Sequence, residues 1–143
     1  MREPRRFPGI IKDMNRWKTL GLAVALIGVA FTAHAEPRTI NDKIFSEAQA
    51  DSGEALYKEH CLTCHDKKYF RPVLNRWEGQ SLGIFYTIMI TSMPESNPGA
   101  LPLEEYADIL AYILSLSRYS SGDEPLASDP DALADITIAK RKK

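Results

Sequence analysis

Apolar residues recur at three- and four-residue steps in two stretches of the chain, and the coarse pattern they set is helical. Leu82, Phe85, Ile88 and Met89 form the first stretch, opened by Gly79-Gln80-Ser81, and it reads as a half-buried helix. Tyr106, Ile109, Leu110, Ile113 and Leu114 form the second, with Glu104 and Glu105 in its first turn; this helix should begin near Leu103 and end around 116–118. Further upstream, Asp51-Ser52-Gly53-Glu54 offers a cap at Asp51 with an acidic residue three positions on, ahead of Ala55, Leu56 and Tyr57. A helix is expected to run from there into the cysteines. Ser128-Asp129-Pro130-Asp131 predicts a cap, a proline at the first helical position and one short final turn through Ala134. Residues 66–78 and 94–102, rich in Pro, Asn and Gly, are expected as irregular loops. The fold class expected is all-α.

The amino terminus carries a different pattern. Arg16 and Lys18 precede an apolar run from Leu20 to Phe31, and Ala33-His34-Ala35 follows, which is the order of a secretory leader with its cleavage site. The run is short of the roughly 20 residues a spanning helix needs, so cleavage after Ala35 is expected and no stable membrane span should remain. Residues 1–13 exceed a normal leader, which points to Met14 as the start of translation. Residues 36–143 are then one small domain. They hold 12 basic against 17 acidic side chains, a formal charge of −5, with four of the basic ones in Lys140-Arg141-Lys142-Lys143. An acidic body disfavours nucleic acid and favours a partner with a basic docking patch. The basic tail reads as a solvated, frayed end.

Candidate chemistry sits in Cys61-Leu62-Thr63-Cys64-His65, which contains both cysteines of the chain. Two thiols separated by two residues and followed at once by histidine form the attachment signature of a c-type haem. Each sulfur would form a thioether to the porphyrin, and His65 would be the proximal iron ligand. One such motif implies one haem. A structural zinc site normally needs four ligands, and His60, Cys61, Cys64 and His65 are crowded into about one turn. A thiol pair or a local disulfide stays open as an alternative. For the sixth iron ligand only Met89 and Met93 lie beyond the leader. Met89 falls on the apolar repeat, where it reads as core, whereas Pro94 pushes Met93 out of helical geometry at the mouth of a loop. Met93 is therefore preferred, with Met89 in reserve; His60 adjoins Cys61 on the wrong side and reads as an exposed helix residue.

From about residue 51 to 117 these residues resemble the class I monohaem cytochromes c of bacteria. The resemblance rests on the Gly53 and Tyr57 helix, the Cys61–His65 motif, Ser92-Met93-Pro94, and the helix through Tyr106 and Tyr112. It implies a small fold of three to five helices around one covalent haem, with the first and last core helices crossing at Gly53 and packed by Tyr57 and Tyr112. It also implies that Arg71-Pro72-Val73-Leu74 is a proline loop whose Pro72 carbonyl accepts the proton on His65. Leu74, Leu82, Phe85 and Leu101 are expected to wall the haem or to be ordinary core, and Trp77 either lines its edge or packs in the core. The expected organisation is a leader at 1–35, a linker at 36–50, the cytochrome domain at 51–118, and an extension at 119–143.

The stretch from Met93 to Leu101, with Gly122, Leu126, Asp129 and Leu133 beyond the helix, further resembles cytochromes that accept electrons from pyrroloquinoline quinone dehydrogenases; Leu116-Ser117-Arg118-Tyr119 departs from that pattern. Together these readings imply a periplasmic electron carrier rather than an enzyme. Its partners would be redox proteins: such a dehydrogenase, and a terminal oxidase or another cytochrome. Two alternatives stand beside this reading. One is a haem protein whose open iron binds a gas or reduces peroxide, and the other is a secreted helical module without haem.

Overall fold

A computed structural model of the chain describes residues 37–142, so the leader and the choice of start at Met14 lie outside the described residues. Four α-helices are present, and no strand longer than an isolated bridge occurs among the described residues: α1 (Glu47–His60), α2 (Phe70–Arg76), α3 (Leu82–Ser92) and α4 (Leu103–Leu116). A 3₁₀ turn at Asp131–Leu133 follows them. The all-α expectation is met, and α3 and α4 begin where the pattern placed them, whereas the final turn begins one residue later, with Pro130 as its cap instead of its first residue.

Two of the helices differ from expectation. Helix α1 starts a turn earlier than Asp51, because Ser46 Oγ accepts the backbone N–H of Gln49 at 3.2 Å and caps it there. Ser46 takes one of the free donors that open a helix, and Asp51 ends up as an exposed residue inside it. The second difference is α2, which occupies part of the stretch expected as loop. Pro72 is its third residue, within the first turn, where a missing N–H leaves no hydrogen bond unmade.

The core is built on the crossing of α1 and α4. Gly53 of α1 meets the backbone of α4 so closely that a Cβ there would lie 1.9 Å from the Asp108 carbonyl oxygen. Only a residue without a side chain permits that approach. One turn on, Tyr57 and Tyr112 pack edge to face with ring centroids 5.3 Å apart, and Ile109, Leu110, Ile113 and Leu114 are buried along the inner face of α4. Helix α3 is capped by Ser81, whose Oγ accepts from Gly83 N at 3.1 Å, and buries Leu82, Phe85, Tyr86 and Met89.

The segments on either side of the helices are part of this core. Ile40, Ile44 and Phe45, from the stretch expected as linker, are buried, as are Leu126, Leu133, Ile136 and Ile138 from the expected extension. Ile40 N donates to Thr137 O at 3.1 Å and Thr137 N to Arg38 O at 2.9 Å, forming a parallel bridge between the two ends. The tail is tied down rather than frayed: Asn41 Nδ2 donates to Lys140 O and Lys142 N donates to Asn41 Oδ1, each at 2.9 Å.

Candidate functional site

Helix α1 delivers the Cys-x-x-Cys-His motif by running out of hydrogen bonds in a defined way. Cys61 N and Leu62 N both donate to Tyr57 O at 2.9 Å, and then Cys64 N and His65 N both donate to Cys61 O, at 3.1 and 2.9 Å. The five residues thus close on themselves as successive tight turns. The buried Tyr57 hydroxyl holds the far end, donating to His65 O at 2.8 Å and to Asp66 O at 3.2 Å. This anchoring by Tyr57 was not legible as such; the sequence showed only an aromatic position in the helix.

Cys61 is half-buried and Cys64 exposed, and both are free thiols. Burial pushes the Cys61 thiol up to about 11, which keeps it protonated at neutral pH and makes it a poor member of a thiol–disulfide redox pair. The His65 ring packs against Tyr69 at 4.2 Å and Phe70 at 5.4 Å between centroids. Its Nδ1 is buried and has no hydrogen-bond partner among the described residues. The Pro72 carbonyl does not serve it, contrary to expectation. Pro72 belongs to α2, and a carbonyl in the first turn of a helix is directed along the axis toward the N–H four residues on.

Opposite the motif, α3 ends at Ser92 and Met93 is its C-cap, in extended conformation, with its N–H donating to Met89 O. The Met93 carbonyl is held by the Tyr106 hydroxyl of α4, and Gly99 N donates to it at 3.4 Å across the loop. That loop, 94–102, is irregular as expected, closed by turns from Asn97 N to Pro94 O at 2.9 Å and Ala100 N to Asn97 O at 3.3 Å.

Between these two arms lies a cavity of about 770 Å³, within the range of sites for bound organic molecules. Cys61, Cys64, His65, Met89 and Met93 all line it, and Phe70, Leu101, Tyr106, Ile109 and Ile113 form its apolar walls. Met89 is thus both a core residue and a wall of the site, and His60 lines the rim instead of standing clear of it. Of the other expected wall residues, only Leu101 is in place. Leu74, Leu82 and Phe85 are buried in the core and do not line the cavity, and Trp77 packs edge to face on Phe85 at 5.3 Å. Among the described residues no group of three or more His, Cys, Asp or Glu is arranged to hold a metal ion.

Residues 48–113, which span both arms of this cavity, match the family model described as cytochrome C oxidase, cbb3-type, subunit III. The match supports a class I c-type cytochrome. No curated protein and no solved structure matches the chain. The strandless four-helix architecture is consistent with a small cytochrome c fold, and no helix of the described residues is long and apolar enough to cross a membrane. The residues that line the cavity also fit a haem c on physical grounds. Two thiols at the required spacing, an imidazole beside them with a buried orphan nitrogen, and two thioether side chains share one apolar cavity. The match likewise supports a haem electron-transfer protein, a kind of protein that works with redox partners.

Proposed function

We propose that the chain is a periplasmic electron carrier in which Cys61 and Cys64 attach one haem c and His65 and Met93 hold its iron. The observation that carries this reading is that the Cys-x-x-Cys-His motif and the Met93 side chain line one apolar cavity from two separate elements. When bound, the haem would supply a one-electron couple, whose potential a Met93 thioether ligand would raise. The protein's own contribution is positional. Tyr57 fixes the carbonyl of His65 and Tyr106 that of Met93, so both ligand-bearing segments are held by hydroxyls from the buried core. Phe70, Ile109 and Ile113 give the cavity apolar walls, which favours outer-sphere transfer over bond-making chemistry at the metal.

Met89 lines the same cavity, so the choice of sixth ligand is tested directly. Protein made together with haem-attachment machinery is expected to show the ferric sulfur-to-iron charge-transfer band, and Met93→Ala should abolish it while Met89→Ala leaves it intact. A band lost in Met89→Ala and kept in Met93→Ala would reverse the assignment. A band absent from the wild type, with carbon monoxide binding readily to the ferrous protein, would favour the open-iron alternative. The donor we propose is a pyrroloquinoline quinone dehydrogenase and the acceptor a terminal oxidase or another cytochrome. Reduction of the purified cytochrome by such a dehydrogenase at low ionic strength is expected, and failure to accept its electrons at any ionic strength would remove that partner. Export is proposed from the leader, and a mature amino terminus at Glu36 by mass spectrometry is the expected result.

A further inference from the structure

A second cavity, of about 340 Å³, lies between α2, the end of α4 and the carboxyl-terminal tail. It shares no lining residue with the site above. Arg71 and Asn75 come from α2, Ser117 caps α4, and Lys140 and Arg141 come from the tail that Asn41 ties down. We propose that this cavity is a binding site for a phosphate-type oxyanion, either free phosphate or the phosphate group of a small monoester.

Three observations support it. First, the charge is uncompensated: Lys140 pairs with Glu78 at 3.0 Å, but neither Arg71 nor Arg141 forms a salt bridge among the described residues. Two guanidinium groups then face one opening on a protein whose body is acidic, and a dianion balances them. Second, Ser117 is only 4% exposed and its Oγ is buried without a hydrogen-bond partner among the described residues. A buried hydroxyl left unpaired is costly, and an oxyanion that displaces the cavity wall enough to reach it would give it an acceptor. Third, the fields of the two arginines converge. Burial pushes the Tyr119 phenol up, and Arg141 and Arg71 oppose that shift while Glu78 adds to it, so both cations act on the same wall of the cavity.

The donor chemistry favours phosphate over a monocarboxylate. Guanidinium groups bind phosphate oxygens in pairs through fixed forks, and two of them with the Ser117 hydroxyl and the Asn75 amide offer more donors than two carboxylate oxygens can accept. The shared chemistry of free phosphate and a monoester is the tetrahedral oxyanion. Titrating each in turn separates them, since a monoester that fills more of the cavity should bind more tightly than phosphate itself.

The test is isothermal titration of the full chain with inorganic phosphate at constant ionic strength, with chloride as the control ion. Saturable one-site binding is expected, weakened about tenfold or more in Arg71→Gln and again in Arg141→Gln. Ser117→Ala should also weaken phosphate binding while its thermal midpoint in chloride stays level or rises, because the orphan hydroxyl is gone. Absence of saturable heat, or identical titrations in the wild type and the Arg71→Gln/Arg141→Gln double variant, would overturn the proposal. The second result would mark phosphate as an adventitious ion only.

Discussion

At the scale of single residues, the tightest constraint in the molecule is Gly53. A Cβ there would lie 1.9 Å from the Asp108 carbonyl oxygen and 2.4 Å from its carbon, and both are backbone atoms of a packed helix that cannot swing aside. Gly53→Ala is therefore expected to cost about 3 kcal/mol or more, read as a lower urea midpoint; an unchanged midpoint would show that α1 and α4 separate freely. Asp108 carries a second prediction at the same crossing. Burial pushes its carboxyl up, Gln49 partly offsets this by hydrogen bonding, and Glu105 and Glu104 add to it. Because the folded value lies above the unfolded one, the charged form costs stability at neutral pH, and the cost fades as pH falls through the folded value and is gone below the ordinary carboxylate value. Asp108→Asn should thus raise the thermal midpoint at pH 7, with a gain that shrinks on acidification toward pH 4; a gain independent of pH would mean the charge is not its cause. The Cys61–His65 motif was legible because contiguous residues carry their own chemistry, whereas the crossing at Gly53 and the packing of Tyr57 came only with the resemblance. The walls of the cavity were not. Whether Phe85 or Phe70 faces it depends on how each helix is rotated in the core, and that is set by residues far away in the chain.

At the scale of elements, α1 shows how two good local signals compete. Ser46 and Asp51 both begin plausible caps, but Phe45, just before Ser46, is buried and Ala50 in the next turn is buried too, so the earlier start gains core contacts that the later one forgoes. Ser46→Ala is expected to cost about 1 kcal/mol, whereas Asp51→Ala, at an exposed interior position, should stay within about 0.5 kcal/mol of the wild type. Denaturant midpoints of the two variants check this, and the opposite order would restore the cap at Asp51. Helices α3 and α4 were legible because their apolar faces repeat over several turns. Helix α2 was not, since seven residues give too little periodicity and Pro72 reads as a breaker unless its place in the first turn is known.

At the scale of the whole molecule, the helical core does not end where the resemblance ends. Leu126, Leu133, Ile136 and Ile138 are buried, and Gln49 of α1 clasps the extension by donating to Leu126 O at 3.1 Å and accepting from Leu126 N at 2.7 Å. Losing four aliphatic side chains from the core at roughly 2 kcal/mol each would remove about 8 kcal/mol, comparable with the roughly 5–15 kcal/mol that holds a domain folded. A chain ending at Ser120 is expected to lose its cooperative thermal transition, and a sharp transition within a few degrees of the full chain would make the extension dispensable. Its role escaped the sequence because single extended residues joined by isolated bridges have no period to read. The parallel bridge at Thr39 and Thr137 carries a topological meaning as well. Since residues 38–42 run beside residues 137–142 in the same direction, a linker of about six residues at about 3.3 Å each would retrace that pairing and join one end to the other. The described residues are in effect a nearly closed ring of chain, so new ends could be opened in an exposed loop while every buried contact among them is kept.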